Sequence, residues 1–117
     1  MELKTQIGYQ SNKIVAQDLI KNDNGRATIL AFDANTELTA HKAPGDAMVQ
    51  VIEGSIDFVV GGKRHHLQAD EFVTMSVGTV HEVYAPEQAK VLLTIVKNCC
   101  CDSSDKVTDK PEGLLPD

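Results

Sequence analysis

Two histidines, His41 and His81, stand in the two stretches of this chain that combine titratable side chains with tight-turn residues. These are "TAHKAPGDAMVQVIEGS" (39–55) and "LQADEFVTMSVGTVHEVYAPE" (67–87). A neutral imidazole offers one donor and one acceptor, and its ordinary pKa of about 6.5 allows either protonation state near neutral pH. Such a pair could ligate a metal, orient a carboxylate or carbonyl at the polar end of an apolar cavity, or split general acid and general base roles. His65 and His66 are adjacent, so on a strand they face opposite sides. Parity with Leu67 points His65 inward, whereas His66 belongs with Lys63 and Arg64 to a basic hairpin surface. The three cysteines, Cys99, Cys100 and Cys101, are consecutive. Such a run neither frames disulfides nor has the CxxC spacing of a zinc knuckle, and it reads as reduced thiols without a catalytic role.

The elements that must position these groups are strands. Gly and Asn/Asp punctuation separates short alternating segments, and no apolar pattern holds a 3.6-residue period long enough for a core helix. Strands are expected at 13–20, 26–34, 48–54, 55–60, 63–68, 71–77, 81–85 and 90–97. Asn24-Gly25 is a turn signal after the first of them, and Gly61-Gly62 supplies the positive-φ residues of a tight hairpin. About eight short strands suggest a closed barrel or a two-sheet jelly roll, which removes exposed edges. The run "VLLTIV" (91–96) lacks clean alternation and is compatible with burial on both faces. After Lys97 the chain turns polar and acidic. Residues 1–97 are therefore expected to form one barrel with N-terminal strands, and 98–117 a flexible tail.

Together these features resemble the cupin superfamily, small barrels of the double-stranded β-helix type. A histidine precedes a Pro-Gly turn and an apolar strand closes on Glu53-Gly54. A Gly-Gly hairpin follows, then Leu67, Asp70, Gly78 and His81 in order. The resemblance covers roughly residues 27–97. It implies an all-β double-stranded β-helix (cupin, jelly-roll) barrel and a homodimer. In metal-binding cupins three histidines and a glutamate converge on one divalent transition metal, and iron, manganese, nickel, copper or zinc are the candidates here. Aligned on Gly54 and Pro44-Gly45, His41 falls on the first histidine and His81 on the last. The second histidine position holds Ala43, and the glutamate position Ala47, or Met48 under the longer spacing. Asp46, one residue earlier, and the inward His65 are the two candidates for a third ligand. Strand alternation turns Asp46 and Ala47 to opposite sides.

The ligand pocket implied by this fold is expected to hold His41 and His81 at one end. Phe58, Met75, Val49 and Val51 form its apolar wall, and Phe72 and Val83 are further candidates. Core packing would account for the same apolar faces. Glu82 and Tyr84 share the parity opposite to His81 and are expected to look outward. The chain has 117 residues, a net charge of −6 and 4% aromatics. That balance repels phosphate backbones and anionic lipid, so neither nucleic acid nor membrane is an expected partner. No run approaches a membrane span, the start lacks an apolar leader segment, and the cytoplasm is the expected compartment. No nucleotide-binding glycine pattern or nucleophile elbow is present. Three functions remain: a small-molecule binding module with a reduced metal site, a metal-dependent oxygenase or isomerase acting on a small organic acid or ring, and a non-catalytic assembly protein.

Overall fold

Alternation of apolar and polar residues, interrupted by glycine turns, produces nine strands in the computed structural model, which describes residues 2–97. The strands are β1 (Ile14–Asn22), β2 (Gly25–Phe32), β3 (Thr36–Lys42), β4 (Asp46–Glu53), β5 (Ser55–Val60), β6 (Lys63–Gln68), β7 (Phe72–Met75), β8 (Val80–Ala85) and β9 (Ala89–Val96). They form a five-stranded sheet of order β1-β2-β9-β4-β7 and a four-stranded sheet of order β3-β8-β5-β6, with antiparallel pairing throughout. This is the all-β, double-stranded β-helix architecture expected from the sequence. The segment 98–117, with Cys99, Cys100 and Cys101, lies outside the described residues. Among the described residues no helix is long and apolar enough to cross a membrane.

The inner faces of the two sheets meet in one core. β4 buries Ala47, Val49 and Val51 at every second position, and β8 does the same with His81, Val83 and Ala85. Phe32, Ile56, Phe58 and Met75 fill the space between them. β9 lies in the middle of the larger sheet, between β2 and β4. On that sheet's outer face the N-terminal segment brings Leu3, Ile7 and Tyr9 onto Ile29, Ala31 and Ile52. A polar clasp fastens this segment. The Tyr9 hydroxyl donates to Glu53, and the buried Lys90 ammonium donates to the Lys4 carbonyl, 5.0 Å from the centre of the Tyr9 ring.

The sequence reading differs from the structure in one element that matters for function. No strand was expected at 36–42, yet β3 forms there and carries His41. Its pattern is obscured by a register shift: Leu38 faces Val83 and His41 faces His81. Three steps on β3 thus match two on β8, which is the signature of a β-bulge. The β5–β6 turn is as expected, with Gly61 and Gly62 at φ 59° and 76° between the paired residues Val60 and Lys63. Gly54, at the β4–β5 corner, has φ 77°, and a Cβ there would lie 2.2 Å from the Gln88 carbonyl oxygen. Gly54→Ala is therefore expected to cost about 2–4 kcal/mol in urea denaturation, from backbone strain plus overlap. Gly61→Asn, at φ 59° with open space around it, should stay within about 1 kcal/mol of wild type.

Candidate functional site

The β3 bulge and the β3–β8 register bring His41 and His81 into edge-to-face contact, with ring centroids 4.0 Å apart and planes at 62°. His81 is buried at 6% exposure and stacks on Phe58 at 5.6 Å, while His41 lies at the exposed rim. Each ring is held by the backbone carbonyl two residues before it. The Nδ1 of His41 is 3.0 Å from the Thr39 carbonyl oxygen, and the Nδ1 of His81 is 3.2 Å from that of Thr79. A carbonyl only accepts, so both Nδ1 atoms carry the proton and Nε2 is the lone-pair atom of each neutral ring.

Below this pair lies an apolar cavity of about 40 Å³, bordered by Leu38, Val49, Ile56, Phe58 and Leu93 as well as by both imidazoles. That space holds roughly one to three water-sized groups. Outside it, between the β5–β6 hairpin tip and the start of β8, is a cleft of about 600 Å³ bordered by Val60, Lys63, His65, Thr79, His81 and Glu82. Its size falls within the usual range of small-molecule sites. His81 borders both spaces.

The other expected site residues divide. Phe58 and Val49 border the cavity. Val51 and Met75 are fully buried in the core and do not border it. Phe72, a further candidate for the pocket wall, instead sits 58% exposed on the edge strand β7. Asp46 does not reach the imidazoles. It is on the face opposite the buried Ala47, as alternation requires, and its Oδ1 accepts from the Val77 N–H at 3.0 Å. His65 is half-buried opposite Phe58 and opens on the cleft rather than on the cavity. His66 is bound on the outer face to Asp57, at 2.8 Å, beside the Arg64–Asp57 ion pair. Glu82 is exposed, and the Tyr84 hydroxyl donates to Asn35. Lys63, expected only as part of the basic hairpin surface, and Thr79, for which the sequence carries no site signal, also border the cleft. Lys63 has the parity of His65, which was the available signal.

These residues do not fit a transition-metal shell. Among the described residues no three His, Cys, Asp or Glu side chains gather at one point. Ala43 and Ala47 are buried at 3% and 4% within the apolar core. Two imidazoles alone hold a labile ion weakly.

A two-sheet antiparallel barrel with histidines from β3 and β8 at one mouth defines a class, and comparison identifies it. The chain belongs to the cupin family: the cupin domain model matches residues 28–96. Among solved structures, a conserved protein of unknown function from Streptococcus pyogenes is similar at a TM-score of 0.80 and 23% identity, over 86% of this chain and 88% of that one. A cupin superfamily protein from Desulfitobacterium hafniense matches at TM-score 0.80 and 13% identity, over 84% and 90% of the two chains. A cupin 2 conserved barrel domain protein from Leptotrichia buccalis reaches 35% identity and TM-score 0.79 over 83% of this chain, which spans only 47% of that protein. No curated protein sequence matches.

Burial holds the His81 imidazole below its ordinary 6.5, against the Thr79 carbonyl, which favours the charged form, and together with the charge of His41. The unfolded chain therefore takes up this proton at higher pH than the fold does. The stability that depends on neutral His81 is complete above about 6.5 and is lost as pH falls through the lower folded value. His81→Gln should accordingly show a smaller drop in urea midpoint than wild type between pH of about 7.5 and about 5.5. Equal slopes in the two proteins would contradict this assignment.

Proposed function

We propose that the chain is a small-molecule-binding cupin domain whose family metal site is reduced to two imidazoles. The observation that carries this reading is the position of the His41–His81 pair, at the junction of an apolar cavity and a ligand-sized cleft, with alanines buried where the family's other ligands are expected. A bound molecule places its apolar part toward Phe58 and its polar group at the histidines. In the neutral pair each Nε2 accepts a hydrogen bond, and a protonated ring donates one. Stacking on Phe58 and the Nδ1–carbonyl contacts hold His81 in place, so little rotamer freedom is lost on binding.

The test is metal content together with ligand-dependent melting, on the full-length chain carrying Cys99→Ser, Cys100→Ser and Cys101→Ser so that thiols cannot scavenge ions. After incubation with iron, manganese, nickel, copper or zinc salts, the protein is expected to retain well below one equivalent. Its melting temperature should rise with a ligand, because binding stabilises the folded state, and His41→Ala should diminish the rise. About one equivalent of metal, lost in His81→Ala, would replace this reading with a metal-dependent enzyme. Absence of both metal and ligand effects, with His41→Ala like wild type, would leave an assembly role instead.

A further inference from the structure

Resting on that reading, we propose that the ligand is a short-chain carboxylate whose anionic head sits among Lys63, His65 and His81. The argument is the register of the four-stranded sheet. At the mouth one rung crosses all four strands: Lys63 on β6 faces Val60 on β5, Val60 faces His81 on β8, and His81 faces His41 on β3. The next rung inward is His65, Phe58, Val83 and Leu38, paired in the same way. One step deeper, Leu67 faces Ile56. Residues of successive alternate positions share a face, so all three rungs belong to the interior side that buries Phe58 and Ile56.

This face therefore grades from three nitrogen bases around one valine, through a single histidine among apolar residues, to a wholly apolar pair. The intervening positions carry the acids. Asp57 faces His66 and Tyr84, Glu82 faces Val59, and Glu37 faces Tyr84, all on the opposite side of the same sheet. No carboxylate lies on the three inner rungs, in a chain whose net charge is −6. Glu82 reaches the edge of the cleft from the outer side, which discourages a second negative charge on the ligand. An anionic head finds the Lys63 ammonium at the mouth and, when an imidazole takes up a proton with it, an Nε2–H donor, and a short apolar tail finds Phe58 beneath them. A cation would meet Lys63 on entry. The cavity of about 40 Å³ behind Phe58 limits the tail to a short chain unless side chains move.

The experiment is proton NMR of the His65 and His81 rings in the reduced full-length chain, titrated separately with butyrate, hexanoate, butylamine and butanol. Saturable shifts of both rings are expected with the carboxylates and not with the amine or alcohol. Lys63→Gln should weaken butyrate binding about threefold, the size of one partly screened charge contact, and Lys63→Arg should restore it. Equal shifts from butylamine or butanol would overturn the anionic head while leaving a small-molecule site at the mouth. If no compound moves the two rings, the carboxylate assignment fails, and the melting and metal assays above then decide separately whether the site binds anything.

Discussion

Leu38 and His41 are three residues apart on β3, yet they face Val83 and His81, which are two apart on β8. Strict alternation would send Leu38 and His41 to opposite sides of the sheet. The bulge absorbs the odd residue and returns both side chains to the inner face of the sheet, His41 at its exposed rim. The contact between the two imidazoles follows from that one irregularity. The bulge sets His41 against His81, leaves the Thr39 carbonyl within reach of His41 Nδ1, and lets Leu38 wall the cavity beneath the rings. On β8 the alternation is unbroken, so His81, Val83 and Ala85 are buried without special geometry.

Stability and site are built on different faces. The larger sheet is reinforced from outside, where Leu3, Ile7 and Tyr9 cover Ile29 and Ala31 and the Tyr9–Glu53–Lys90 clasp fixes the covering segment. That clasp depends on a second register shift, between Val51 and Glu53, which sets Glu53 opposite Lys90 on the outer side. Burial and the Glu53 carboxylate both hold the Tyr9 phenol above its ordinary range, so it remains a neutral donor. Among the described residues the smaller sheet has no such cover over its mouth, where Lys63 and His41 are exposed and His65 is half-buried.

The fold was legible because its main signals are local. Val49 and Val51, or Ile56 and Phe58, state their face by parity, and Gly61-Gly62 states its turn by backbone freedom alone. β3 was not legible, since a bulge removes the alternation by which a strand is read, and "TELTAHK" has little apolar content to begin with. His41 and His81 were found through their place beside turns and through family resemblance, and their ring contact required the register. Parity placed Asp46 opposite Ala47 and His65 on the Phe58 side. It could not separate residues bordering a void from residues filling the core, which is why Val51 and Met75 looked like pocket walls. Lys63 was read as hairpin surface, although the parity that turned His65 inward applies to it as well.

Ala43 and Ala47 leave the core side of the barrel without polar groups at those two positions, and the imidazoles stand at the rim. Metal ligands at those inward positions would keep the centre of the barrel charged and open. Small apolar side chains there are packed into the core instead, and the void beside the two imidazoles is only about 40 Å³. Such an interior is apolar, and a charged group inside it would bear a large cost of desolvation. Burial disfavours the charged form of His81 for the same reason, even with the Thr79 carbonyl beside it. The imidazole is thus poorly suited to adding stability where it sits, while a phenyl group of similar shape would pack on Phe58 without that penalty. What His81 adds is an Nε2 lone pair held in a fixed direction, by the Nδ1 contact to the Thr79 carbonyl, where the cavity meets the cleft.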